Sequence, residues 1–151
     1  MLIGIPSLLG PDLLSTLRAM GHGDELAIVD GNYPAQEHGR RVLRADGHGA
    51  VDVIDAVLTV LPVDDFVPQA LFCASVNGDP TKLDPVHHEM IAVCARRVPG
   101  MTVTPLAGAA FYERVKAAYA VVATGEPRLY GNFIVRKGVI RALAHQGGQG
   151  Q

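Results

Sequence analysis

The run Leu26-Ala27-Ile28-Val29, preceded by Met20-Gly21-His22-Gly23-Asp24-Glu25 and closed by Asp30-Gly31-Asn32-Tyr33-Pro34, decides the fold. Four apolar residues between Glu25 and Asp30 show no alternation, so the strand they form has to be buried on both faces. A strand of that kind belongs to a sheet with helices above and below it.

Upstream, Ser7 to Met20 reads as a helix. Pro11 suits its first turn, Leu13, Leu14 and Leu17 supply the apolar stripe, and Gly21 stands where a helix stops. Downstream, Val51, Ile54, Val57, Leu58 and Leu61 give helical spacing over Ala50–Val60, and Pro62 breaks it. Leu71–Val76 is a second buried strand, ended by the turn Asn77-Gly78-Asp79-Pro80. Asp84 and Pro85 open a helix carrying Val86, Met90, Ile91, Val93, Cys94 and Val98. A strand at Met101–Thr104, a helix near Ala110–Ala117 and strands at Ala120–Ala123 and Asn132–Arg136 complete the series. Strands alternating with helices predict an α/β three-layer sandwich, a central sheet covered by helices on both faces. Residues 1–140 are expected to form one domain, and 141–151, ending Gln-Gly-Gly-Gln-Gly-Gln, a disordered tail.

The chain has 151 residues, enough to bury about two thirds of its surface without staples. Its 48% hydrophobic and 19% charged residues describe a globular protein. Thirteen Lys and Arg against fifteen Asp and Glu lack the basic excess that phosphate neutralisation requires, so nucleic acid is not an expected partner. No apolar run approaches the roughly 20 residues of a membrane span, and no basic stretch precedes Met1–Leu9. Cys73 and Cys94 show no CxxC spacing, and read as two buried free thiols in a reducing cytoplasm.

Several chemistries are excluded by spacing. Gly21-His22-Gly23 precedes a strand and has Leu at position 26, so it is not a dinucleotide fingerprint. Gly78-Asp79-Pro80-Thr81-Lys82 is not a phosphate loop. A zinc-binding helix would need a histidine four positions after His88, where Ala92 stands. His87 and His88 are therefore expected on the solvated surface, with no metal and no other cofactor. What remains is His22, in a glycine-flanked loop past a helix end, and Asp30, at the carboxyl end of a buried strand where open sheets hold ligands. The two could serve one polar ligand, as proton donor and oxygen anchor. They also suit a plain loop and turn. Tyr130-Gly131-Asn132 is a second polar cluster: phenol and amide read hydroxyls, and glycine lets a ligand approach the backbone. A hairpin turn explains it too.

Taken in order, these segments and Ile5-Pro6, Leu8-Leu9, Arg44-Ala45-Asp46-Gly47, Phe111-Tyr112-Glu113-Arg114 and Ala123-Thr124-Gly125-Glu126 resemble the RbsD/FucU family of D-ribose pyranases and L-fucose mutarotases. The resemblance spans about residues 1–140, and the Phe-Tyr-Glu-Arg and Tyr-Gly-Asn forms are similar to its fucose branch. It implies a cytoplasmic, cofactor-independent mutarotase that interconverts anomers of a free monosaccharide. It further implies a ring-shaped homodecamer with sites shared between subunits. By the same resemblance His22 is the proton donor, Asp30, Tyr130, Gly131 and Asn132 bind the sugar, and Asp30 is expected to help orient or charge His22. One departure stands out: Gly108 occupies the position, three residues before Phe-Tyr-Glu-Arg, where the fucose branch has a sugar-contacting Arg. Arg40, Arg41 or Arg114 would be candidates to replace it. That departure keeps open a non-catalytic sugar-binding accessory role, with a D-ribose pyranase as a further alternative.

Overall fold

Leu26, Ala27, Ile28 and Val29 are wholly buried, and each alternate pair meets its own layer of helices. The computed structural model describes residues 1–142. Nearly all of the tail read at 141–151 lies outside the described residues. In chain order the elements are α1 (Pro11–Ala19), β1 (Glu25–Val29), α2 (Ala35–His38), β2 (Val42–Ala45), α3 (Ala50–Val60), β3 (Leu71–Ala74), α4 (Pro85–Arg97), β4 (Val103–Leu106), α5 (Gly108–Ala117), β5 (Ala120–Thr124) and β6 (Phe133–Arg136). The six strands form one sheet in the order β2-β5-β1-β6-β3-β4. Only β6 runs antiparallel to its neighbours, pairing Ile28 with Phe133 and Glu25 with Arg136 along β1.

Successive side chains on a strand point to opposite faces. Leu26 and Ile28 accordingly join Leu13 and Leu17 of α1, Val53, Ile54 and Val57 of α3, and Val86, Met90 and Val93 of α4. Ala27 and Val29 join Phe111 and Val115 of α5 and Ala35 of α2. The expected sandwich is therefore present, with three helices on one face and a thinner cover on the other. Phe111 is the largest buried side chain of that thinner cover, 1% exposed.

Most boundaries move by a few residues. The first helix starts at Pro11 instead of Ser7, because Gly10 holds the extended conformation of an N-cap. Two elements were not expected. The single turn α2 is too short to show a period, and β2 carries Arg44 within an edge strand, so its apolar run is interrupted. His87 corrects the surface expectation: it is fully buried, whereas His88 is exposed. Its Nδ1 accepts the Asp84 backbone N–H at 3.0 Å and so helps close the first turn of α4, while its buried Nε2 has no hydrogen-bond partner among the described residues. Cys73 and Cys94 are buried and free. No helix among the described residues is long and apolar enough to cross a membrane.

Candidate functional site

The two ends of β1 carry different polar clusters. The loop Gly21–Asp24 enters the strand at its amino end, and that loop is stitched to the chain leaving β6. Gly23 N–H donates to the Lys137 carbonyl, and Lys137 N–H to the Asp24 carbonyl, both at 2.8 Å. The Lys137 ammonium donates to the Leu17 and Met20 carbonyls, closing the end of α1. Gly23 has φ +86°, and a Cβ there would lie 2.9 Å from the Arg136 guanidinium. Only glycine lets the loop turn at that point.

His22 projects from this loop, and its Nε2 meets Asp64 Oδ1 at 3.1 Å. Asp64 side-chain atoms are fully buried, against 44% exposure for His22. Burial alone would raise the Asp64 carboxyl. The Arg136 hydrogen bond at 2.8 Å, the Phe66 backbone N–H at 3.0 Å and His22 outweigh that effect and hold it at about 2. An ionised carboxylate accepts only, so Nε2 carries the proton toward Asp64 and Nδ1 is the ring nitrogen left for chemistry. Phe66, 61% exposed, lies with its ring centroid 5.4 Å from that of His22.

The carboxyl end of the sheet holds the second cluster. Asp30 N–H donates to Asn132 Oδ1 at 2.8 Å, and Asn132 Nδ2 returns a bond to Asp30 Oδ2 at 2.9 Å. Asp30 Oδ1 accepts the Asn32 backbone N–H at 2.9 Å. Burial pushes the Asp30 carboxyl up, opposed by these hydrogen bonds and reinforced by nearby Glu126. Asp30, Asn32, Tyr33, Tyr112, Tyr130 and Asn132 line an open cleft of about 190 Å³. The groups left for a ligand include carboxylate lone pairs on Asp30, one N–H of Asn132, the phenol oxygen of Tyr130, the Asn32 amide and the Tyr112 phenol.

Gly131 is buried between Asp30 and Glu126. A Cβ there would come within 2.7 Å of Glu126 Cγ, so packing against Glu126 is what demands glycine. Glu126, 2% exposed, accepts Arg128 Nε at 2.7 Å and the Ala50 backbone N–H at 3.3 Å. Arg128 also grips Glu89 of α4 at 2.8 Å. The Arg128 hydrogen bonds, working against burial, hold Glu126 below the usual carboxylate range. Sequence reasoning missed Asp64 and Arg136, which meet each other across 72 positions, too far along the chain for any local signal.

Asn132 is bonded to Asp30 and Tyr130 lines the same cleft, but His22 lies apart from them. Five strand residues at about 3.3 Å each put the ends of β1 about 16 Å apart, more than one monosaccharide spans. The expectation that Asp30 orients His22 is corrected: Asp64 does so. Of the arginines considered for the Gly108 position, Arg114 is bound to Glu25 at 2.7 Å. Arg40 donates to the Ala117 and Ala118 carbonyls, and Arg41 to the Tyr119 carbonyl. Gly108 is exposed, with nothing within 4 Å of where its Cβ would be. Among the described residues no group of three or more His, Cys, Asp or Glu is arranged to hold a metal ion.

This is a layered, mixed α/β protein with a polar cleft at the carboxyl end of its sheet and a His–Asp couple at the amino end. Residues 3–140 match the model of the RbsD / FucU transport protein family, and the chain belongs to that family. It is 42% identical over 143 residues to a Homo sapiens protein named fucose mutarotase, covering 91% of this chain and 93% of that one. The crystal structure of the fucose mutarotase from Streptococcus pneumoniae, in complex with L-fucose, superposes with TM-score 0.85 at 37% identity. The match covers 93% of this chain and all of the other (100%). Bacillus subtilis RbsD, solved with D-ribose, shares the fold at TM-score 0.67 and 20% identity, over 88% and 95% of the two chains.

Proposed function

We propose that this protein is a monosaccharide mutarotase, an isomerase that exchanges the anomers of a free sugar, with L-fucose as the substrate to test first. One observation carries the reading: the chain matches fucose mutarotases over nine tenths of its length and keeps acid–base and hydroxyl-reading groups at its sheet ends.

Anomer exchange opens the ring and closes it on the other face of C1. The ring oxygen takes a proton as the anomeric hydroxyl gives one up to water in the open cleft, the aldehyde rotates about C1–C2, and reclosure reverses both transfers. His22 supplies the proton from Nδ1 and recovers it on closure, and Asp64 keeps the ring oriented. Asp30, Tyr130 and Asn132 hold the sugar hydroxyls, while Gly131 serves them by letting the loop pack on Glu126. No step calls for a metal or an organic cofactor.

The separation of His22 from Asp30 within one chain supports a site shared between copies, His22 of one facing the cleft of another. The ring-shaped homodecamer implied by the family resemblance would supply such contacts. The exposed Met1, Leu2, Ile3 and Ile140 are consistent with surfaces that associate. Two buried free thiols fit a reducing, cytoplasmic setting. Residues 1–140 are read as a single mutarotase domain.

Gly108 favours a second reading, a sugar-binding accessory protein without turnover, because no side-chain donor stands at the start of α5. The test is proton NMR of anomer exchange on L-fucose, D-ribose, D-galactose and L-rhamnose, with and without protein. Selective acceleration on one sugar supports the mutarotase. Line broadening without acceleration overturns it in favour of the accessory role.

A further inference from the structure

Tyr130 has φ +61° and Asn77 φ +51°, the only positive values at non-glycine residues among those described. Asn77 is accounted for locally. With Gly78 at φ +75°, and Asp79 N–H donating to the Val76 carbonyl at 2.9 Å, it forms a tight turn after β3 with both central residues left-handed. Asn-Gly is the pair that suits such a turn. Tyr130 has no such account, since a bulky side chain disfavours this conformation. Its phenol, however, reaches across 53 residues and donates to Asn77 Oδ1 at 2.6 Å.

We propose that Asn77 is a positioning residue for the ligand cleft, presenting its side-chain carbonyl to the Tyr130 phenol so that Tyr130 faces a bound sugar as a hydrogen-bond acceptor. This rests on the mutarotase reading for its ligand, and on the observed hydrogen bond for its geometry. The phenol has one proton, and Asn77 takes it. Its oxygen lone pairs then point to a hydroxyl that must donate, which adds a directional requirement that a freely rotating phenol would not impose. The anchor is well founded, because the turn that carries Asn77 is closed by its own backbone bond and follows a strand buried along its whole length. Asn132, two residues on, is held separately by Asp30. The cleft thus has two independent struts, one for Tyr130 and one for Asn132.

The experiment uses the full chain with Asn77→Gly, Asn77→Asp and Tyr130→Phe, and the double variant Asn77→Gly/Tyr130→Phe. Glycine keeps the left-handed turn and deletes only the acceptor, and aspartate keeps the acceptor. On L-fucose, Asn77→Gly is expected to raise KM for anomer exchange about 3- to 10-fold while kcat stays within about twofold. Asn77→Asp is expected to restore the wild-type value, and Asn77→Gly to have no effect once Tyr130 is Phe. A second readout is independent of turnover: the ¹³C-labelled Tyr130 ring resonances are expected to shift in Asn77→Gly and to hold in Asn77→Asp. Unchanged resonances overturn the proposal, whatever the protein does. Shifted resonances with unchanged KM also overturn it, because the contact would then be structural only. If the wild-type protein exchanges none of the four sugars, the mutarotase reading fails by itself. L-fucose affinity from NMR titration then replaces KM, with the same 3- to 10-fold weakening expected and an unchanged affinity overturning Asn77's role.

Discussion

Asp64, with no exposed side-chain atom, holds the Nε2 of half-exposed His22 at 3.1 Å. The carboxylate is satisfied on both oxygens, by His22 and the Phe66 N–H on one and by Arg136 on the other. Asp64→Asn removes the charge that fixes the imidazole's proton on Nε2. Anomer exchange is expected to slow about 10- to 100-fold, a part of the 10²–10⁴ that acid–base assistance supplies. Exchange spectroscopy at fixed sugar concentration measures it, and an unchanged rate would remove Asp64 from the mechanism.

The same carboxyl links stability to acid. Its folded pKa, about 2, lies below the ordinary 3.8, so the unfolded state binds the proton more readily. The stability it contributes is complete above about pH 4 and is lost as pH falls through about 2. Thermal melts from pH 7 to pH 2 should therefore show wild type and Asp64→Asn converging at the acid end. A gap that stays constant with pH would contradict the ionised assignment.

If His22 of one copy serves the cleft of another, two inactive variants can rescue each other. His22→Ala and Asp30→Asn are each expected to lose nearly all exchange. Co-assembled in equal amounts, they would recover about a quarter of wild-type sites, those that draw both native groups from different copies. No recovery in mixed assemblies, verified by differential tagging, would locate the whole site in one chain. A stable monomer by sedimentation would do the same.

Gly108 opens α5 with free space around it. Gly108→Arg is accordingly expected to fold normally, with stability unchanged within about 1 kcal/mol, since glycine is the weaker helix former. If the missing donor limits sugar recognition, the variant lowers KM for L-fucose several-fold. Equal KM values would show that this end of α5 is remote from the sugar.

Burial raises both thiols, Cys73 to about 11 and Cys94 to about 12, where the thiolate is scarce at neutral pH. Neither is expected to react with a disulfide reagent until the chain unfolds. Labelling in denaturant and in buffer gives the comparison, and rapid modification of the native protein would refute it.

Local sequence was sufficient wherever a segment's own side chains decide its state. The unbroken apolar run at Leu26–Val29 required cover on two faces, the helical spacing of Ile54, Val57, Leu58 and Leu61 made a helix, and Asn77-Gly78 marked a turn. His22, Asp30, Tyr130 and Asn132 could be singled out because polar residues beside glycines, at strand ends, have few structural duties. Strand order could not be read this way. Hydrogen bonding between strands uses backbone groups common to every residue, so nothing local announces that β6 runs antiparallel between β1 and β3. The partners of the site depend on that order: Arg136 reaches Asp64 across 72 positions, and Asn132 reaches Asp30 across 102. Only the folded sheet separates His22 from Asp30, because the rigid length of the strand between them keeps apart two residues that are eight positions from each other in the chain.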